Sequence, residues 1–127
     1  MNKSDYCPFC HLQSSQKLLF ENQSCLVIFD NYPVSPGHLL IIPRRHVANY
    51  FNLSIEEQQC LWEMVNQCKL YIENNYHPEG YNIGININES AGQSIPHVHI
   101  HLIPRYKGDV PNPRGGVRGV IPQKQNY

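Results

Sequence analysis

Apolar and polar positions along this chain follow two different periods. From Tyr81 to Asn88 they alternate strictly, with Ile83, Ile85 and Ile87 on one face and Asn82, Gly84, Asn86 and Asn88 on the other. That is the period of a half-buried strand. From Leu61 to Ile72 apolar residues recur at every third or fourth position, through Met64/Val65, Cys68 and Tyr71, which is one stripe of a helix lying on a core. Ser54 and Glu57 supply a capping box at its start, and Asn74, Asn75 and Pro78 close it, so the pattern predicts one long helix from Ser54 to about Tyr76. Short apolar runs predict strands at Leu18–Glu21, Cys25–Asp30 and His38–Pro43. Asn22-Gln23-Ser24 reads as a hairpin loop, and residues 31–37 as a turn-rich loop. A second alternation runs through His97-Val98-His99-Ile100-His101-Leu102-Ile103, with Pro104 expected to end it. The strand from Tyr81 leads into it through Glu89-Ser90, so the two should pair antiparallel and set the asparagine face against the histidine face. Recurring glycine and proline after Arg105 predict an extended tail, residues 106–127, with no core of its own. The whole chain, 1–127, reads as one domain, with residues 1–15 forming a separate knuckle segment.

Composition narrows the function classes. Ten Lys plus Arg balance ten Asp plus Glu. Such a chain has no bulk field for nucleic acid or an anionic membrane, so any anion must be held by local groups. The longest apolar runs are far short of a membrane span of roughly 20 residues, and the polar start, Met1 to Tyr6, has no apolar leader core. Five cysteines, an odd number with only Cys7 and Cys10 close together, do not form a disulfide framework; a reducing cytoplasm is expected.

Three of the seven histidines fall within five residues. Strand alternation puts His97, His99, His101 and Ile103 on one face, backed by Val98, Ile100 and Leu102. Small polar residues precede them, Ala91-Gly92-Gln93-Ser94, where backbone N–H groups can approach an anion. A row of imidazoles suits either a metal site of the zinc-hydrolase kind or nucleophilic attack on phosphorus through a covalent intermediate. The second needs the attacking ring held by its other nitrogen and donors for the phosphoryl oxygens; Gln93, Ser94, Asn86 and His101 are such donors. No acidic cluster stands near to hold magnesium, which favours a metal-free mechanism. Cys7-Pro8-Phe9-Cys10 is either half of a tetrahedral zinc site, completed by histidines, or a redox pair. Asp30 and His38 flank one loop at strand ends, where binding residues collect, although Asp30 alone reads as a turn former. Arg44-Arg45-His46 forms a basic step out of the third strand. Cys60, Met64 and Cys68 read as core, with Trp62 at the helix flank.

The histidine–apolar–histidine–apolar–histidine–apolar–apolar run behind Ala91-Gly92-Gln93-Ser94 resembles the signature of the histidine-triad (HIT) family. The Cys7/Cys10 knuckle, Pro36-Gly37-His38, Arg44-Arg45-His46, Tyr106–Asp109 and Arg114–Arg118 are similar to its bacterial zinc-containing members. The resemblance implies an α+β fold, with a five-stranded antiparallel sheet and one long helix packed on it. It also implies a homodimer whose sheets join. The implied activity is hydrolysis or transfer at the α-phosphate of a purine nucleotide conjugate through a nucleotidyl-histidine. His99 would be the nucleophile, held by the backbone carbonyl of His97. Ser94 and Asn86 would meet phosphate oxygens, and Gln93 and His101 the leaving-group side. Asp30 would hold the ribose hydroxyls, with His38 supporting the triad from behind. Cys7, Cys10, His46 and His97 would bind structural zinc, with His11 as a rival ligand. Two departures bear on substrate: Asn88 where relatives often have glycine, and Gly119 where they commonly have an aromatic residue. Adenosine phosphoramidates, adenylated lysine and diadenosine polyphosphates all remain candidates. A non-catalytic nucleotide-binding or zinc-stabilised interaction protein, and a metallohydrolase with metal on the three histidines, are the rival readings.

Overall fold

The computed structural model describes residues 5–12 and 18–127. Residues 1–4 and 13–15 of the expected knuckle segment lie outside the described residues. The elements run β1 (Leu18–Glu21), β2 (Cys25–Phe29), β3 (Leu39–Pro43), α1 (Ile55–Asn75), β4 (Gly80–Ile85) and β5 (Ile100–Arg105), with short 3-10 turns between and after them. The five strands form one sheet in the order β1-β2-β3-β5-β4, and every neighbouring pair is antiparallel. This is the α+β architecture the residues predict. Among the described residues no helix is long and apolar enough to cross a membrane.

Alternation decides what each sheet face meets. Cys25 and Val27 of β2, Leu39 and Ile41 of β3, and Ile100 and Leu102 of β5 face α1, whose stripe of Leu61, Met64, Val65, Cys68 and Ile72 packs on them. Each fully buried leucine or isoleucine contributes on the order of 2 kcal/mol, so this stripe holds the helix far more than local propensity does. On the opposite face Leu26, Ile28, Leu40 and Ile42 pack beneath Cys7 and Phe9 of the knuckle. β2 and β3 are thus buried on both sides, which explains their unbroken apolar runs.

The helix start is built as the sequence predicts. The Ser54 hydroxyl accepts the Glu57 N–H at 3.0 Å, and the Glu57 carboxylate accepts the Ser54 N–H at 2.9 Å. Glu57 also accepts from Nη2 and Nε of Arg45, at 2.8 and 3.0 Å. The basic step after β3 is therefore tied to the helix cap, one residue before His46.

Three boundaries differ from the sequence reading. β4 ends at Ile85 rather than Asn88, because Asn88 takes φ 73° and turns the chain into a 3-10 turn at Glu89–Ala91. β5 runs past Pro104 to Arg105. Proline lacks only the N–H, and its carbonyl is used by Ser35 Oγ at 2.6 Å. The tail is not simply extended: it folds into 3-10 turns at Gly116–Val120 and Pro122–Lys124.

Candidate functional site

One row of the sheet makes the floor of a cavity of about 920 Å³. Ile28 pairs with Leu40, Leu40 with His101, and His101 with Gly84, so these four side-chain positions share a face across four strands. The histidine and asparagine faces do abut. Asp30, just past β2, donates its N–H to the His38 carbonyl at 3.0 Å, which continues that pairing to the cavity rim. Gly37 makes the turn before His38 at φ 87°, and a Cβ there would crowd the Tyr76 ring at 3.1 Å.

Hydrogen bonds to the backbone fix the tautomers of three histidines, and one of these sets that of a fourth. A carbonyl can only accept, so Nδ1 of His99, 2.8 Å from the His97 oxygen, carries the hydrogen. The lone pair of His99 is left on Nε2, and the ring lines the cavity. His97 is the mirror case: its Nε2–H donates to the Pro43 carbonyl at 2.7 Å, which leaves the lone pair on Nδ1. His38 Nδ1 accepts the Val34 N–H at 3.2 Å, so its hydrogen is on Nε2. His38 Nε2 lies 3.0 Å from His101 Nδ1 and 3.4 Å from Asp30 Oδ2. His101 thereby accepts on Nδ1 and presents Nε2–H.

Burial keeps these rings neutral. It pushes His97, His99 and His38 below the ordinary histidine value, and lowers His101 to about 4, helped by the neighbouring His99 and His38. The Asp30 carboxylate acts against this at His38, His99 and His101. Asp30 itself accepts the Tyr32 N–H at 2.8 Å, which aims the carboxylate at the cavity rim.

The strand expectation put three imidazoles in a row on one face. The structure divides them between two sites, His97 in the knuckle cluster and His99 and His101 in the cavity wall. His97 is fully buried and turned into the knuckle, and the ladder of β5 begins only at Ile100. His97 Nδ1 lies 3.4 Å from Cys7 Sγ, 3.5 Å from Cys10 Sγ and 3.2 Å from His46 Nδ1, and Cys10 Sγ is 3.3 Å from His46 Nδ1. All four donor atoms fall within 4.8 Å of one another. Tetrahedral zinc, with bonds of about 2.0–2.3 Å, requires donor separations of this size. The Pro43 carbonyl orients the His97 ring from behind, as metal-bound imidazoles require. Two thiols and two imidazoles make a closed set with no open position. His11 is exposed and outside this group. Among the described residues, His97, His99 and His101 do not converge on one point as a metal-binding group; a second cluster, Asp30, His38 and His101, does.

Of the residues expected to touch ligand, Asp30, Asn86, Ser94, His99, His101 and His38 line the cavity. Gln93 does not. Its amide is spent on backbone: Nε2 donates to the Ala48 and Ile95 carbonyls at 2.8 and 3.1 Å, and Oε1 accepts the Asn88 N–H at 2.8 Å. It braces the loop that presents Ser94.

Two parts of the wall were not assigned to the site by the sequence reading, apart from Gly119, which it tied to substrate choice. Phe9, between the knuckle cysteines, stands edge-on to both His97 and His99, with centroids 5.9 and 5.0 Å away. An aromatic residue inside C-x-x-C was the available signal. Val117, Gly119 and Val120 of the tail close the far side. At Gly119 a Cβ would lie 2.7 Å from Gln125 Oε1, so a side chain there requires the end of Gln125 to swing aside.

Comparison with known proteins agrees with this geometry. Residues 11–108 match the HIT domain family. A bis(5'-adenosyl)-triphosphatase of Saccharomyces cerevisiae is 32% identical over 108 residues, 84% of this chain but only 52% of the yeast protein. A HIT family protein from Bacillus anthracis superposes with a TM-score of 0.79 at 33% identity, covering 84% of this chain and 78% of that one. A zinc-bound histidine triad family protein from Mycobacterium smegmatis gives a TM-score of 0.76 at 25% identity, covering 93% of this chain and 94% of that one. The match across most of the chain, together with the sheet order and the histidine strand, makes this chain a member of the HIT family.

Proposed function

We propose that this protein is a nucleotide hydrolase that cleaves at the α-phosphate of a purine nucleotide conjugate through a covalent bond to His99. The observation that carries the reading is the tautomer of His99. The His97 carbonyl takes the Nδ1–H, so a neutral ring keeps its Nε2 lone pair beside a nucleotide-sized cavity.

The steps follow from the residues. The Nε2 lone pair of His99 forms a bond to the α-phosphorus as the bond to the leaving group breaks. The leaving group departs with a proton taken from solvent, and the water that attacks in the second step returns one. Water then attacks the same phosphorus, the P–N bond breaks, and a nucleoside monophosphate is released with the His99 lone pair restored. The imidazolium formed in between is stabilised by the Asp30 carboxylate, whose field already favours a positive charge on this ring. His101 Nε2–H, Ser94 and Asn86 donate to the phosphoryl oxygens, where positioning and charge stabilisation supply most of the rate. Asp30 binds the ribose hydroxyls, and the apolar floor of Ile28 and Leu40 receives the base. Gln93 acts through the loop rather than on the leaving group.

Among the described residues the cavity is lined by no lysine or arginine, and Asp30 is its one carboxylate. A leaving group bearing several phosphates lacks cationic partners there. We therefore favour a phosphoramidate or similar single-phosphorus conjugate over a diadenosine polyphosphate. Asp30, His38 and His101 are already joined by short polar contacts, which favours a hydrogen-bonded relay over a metallohydrolase centre.

Structural zinc on Cys7, Cys10, His46 and His97 fits the donor set, and the zinc-bound relative supports it. Zinc there would anchor the peptide whose carbonyl sets the His99 tautomer. Residues 1–127 act as one domain in this reading, in the cytoplasm, where thiolates stay reduced. The open edge of β4 suits a homodimer formed by joining two sheets. The test is a comparison of kcat/KM for an adenosine phosphoramidate and for diadenosine triphosphate. The reading expects the first to exceed the second by at least about tenfold. Equal rates, or the reverse order, would return the polyphosphate to first place.

A further inference from the structure

The five thiols occupy three environments. Cys7 and Cys10 belong to the knuckle cluster, and Cys68 is enclosed between helix and sheet. Cys25 and Cys60 form a pair that the proposed reaction does not use, and neither lines the cavity. Cys25 opens β2 and is buried, while Cys60 sits in the second turn of α1 and is partly exposed. Their sulfurs are 3.3 Å apart although 35 positions separate them in the chain. A disulfide needs about 2.05 Å, so closure asks for little more than 1 Å from two short side chains.

The surroundings hold the pair at this distance. Asn22, in the β1–β2 turn, accepts the N–H groups of Ser24 and Cys25 on Oδ1 at 2.9 and 2.8 Å. Its Nδ2 lies 3.5 Å from the Cys60 sulfur. One polar side chain thus fixes the strand end carrying Cys25 and touches Cys60 at the solvent rim.

We propose that Cys25 and Cys60 are a redox-controlled modification site, closing to a disulfide that clips α1 to β2. The oxidant is hydrogen peroxide, and accessibility sets the order of events. The Cys60 sulfur attacks the peroxide, the O–O bond breaks, an S–O bond forms, and one water leaves. The Cys25 sulfur then displaces that hydroxyl. The S–S bond forms, the S–O bond breaks, and the Cys25 proton leaves with the hydroxide as a second water. Two electrons pass from the thiol pair to the peroxide. Burial holds the Cys25 thiol up at about 12, and the hydrogen bond to Cys60 and its charge add to this. The charge contribution of Cys60 is absent once it carries a hydroxyl, but burial remains the largest cause, so the second step is slow. A bridge with one sulfur at the surface is of the reducible, regulatory kind.

The test treats zinc-loaded protein with hydrogen peroxide, alkylates the remaining thiols, and maps peptides without reduction. Trypsin leaves Cys60 and Cys68 together, and a second cut after Glu63 separates them. The expected product joins the Cys25 peptide to the Cys60 peptide, with the mass of two hydrogens lost, and dithiothreitol reverses it. The unfolding temperature rises on the order of 5–10 °C. Cys60→Ser abolishes both the bridge and the rise, and leaves zinc content and turnover of the reduced protein unchanged. A Cys25 thiol that stays alkylatable while Cys60 advances to sulfinic acid would overturn the proposal. So would a bridge from Cys25 to Cys68.

Discussion

His97 and His99 stand two residues apart on one extended segment, yet they serve two different sites, the knuckle cluster and the cavity. On the knuckle side, the Pro43 carbonyl takes the Nε2–H of His97 and turns the Nδ1 lone pair toward two thiols and His46. On the cavity side, the His97 carbonyl takes the Nδ1–H of His99 and leaves Nε2 for the ligand. The side chains are chemically identical. Which ring nitrogen meets a backbone carbonyl decides where the remaining lone pair points, toward the thiols for His97 and toward the cavity for His99. The two regions are also mechanically joined, because His97 contributes its ring to one and its carbonyl to the other.

The sharpest way to separate the two sides is His99→Ala. On the proposed function, kcat should fall on the order of 10⁴-fold or more, while zinc content and unfolding temperature stay near those of the unchanged protein. A small loss of turnover would move the protein toward a binding role. The converse experiment strips the knuckle. Removal of zinc by a chelator, or Cys7→Ser, should lower the unfolding temperature on the order of 10 °C and reduce turnover with it. A chelator that stops turnover at once without changing stability would instead favour a catalytic metal.

Asp30→Asn probes the cavity alone. Loss of charge-assisted bonds to ribose should raise KM about 10- to 100-fold, with zinc binding untouched. Acid titration sharpens the cavity side further. His101 is lowered to about 4 in the fold against an ordinary 6.5. Its neutral burial therefore contributes fully above pH 6.5, and that contribution is lost as pH falls toward 4. Urea unfolding at pH 7 and at pH 4.5 should show the loss, on the order of 2 kcal/mol, and His101→Asn should remove this part of the pH dependence. The smallest effect lies outside both regions: Ser54→Ala removes the helix cap at a cost of about 1 kcal/mol, with KM and kcat unchanged.

Periodicity made the five strands and the helix legible, because each buries one or two faces with the matching repeat. The capping box at Ser54 and Glu57 was equally plain. The strand reading failed where one residue overrode the repeat. Asn88 takes a positive φ and ends β4 early, while Pro104 continues β5 because only its missing N–H is affected. Alternation put His97 and His99 on one face, and Phe9 does stand against both rings, but it could not show that His97 would join a thiol cluster rather than the cavity. The resemblance supplied that ligand set, and Cys7, Cys10, His46 and His97 do converge. Gln93 looked like a ligand donor because its amide is polar and near the triad; only the coordinates reveal three backbone partners for it. The tail's part in the wall was hidden for a different reason. Val117 and Val120 reach the cavity by folding back through glycine-rich 3-10 turns, which leave no hydrophobic period to read.

The central claim is that the Nε2 lone pair of His99 attacks the first phosphorus. Rapid acid-free quenching during turnover of an α-labelled adenosine phosphoramidate, followed by peptide mass spectrometry, addresses it directly. The account predicts an adenylyl group, labile to acid, on His99 and absent from His99→Ala. Full turnover with no adduct on any histidine, or an adduct on His101 with His99 unmodified, would contradict it.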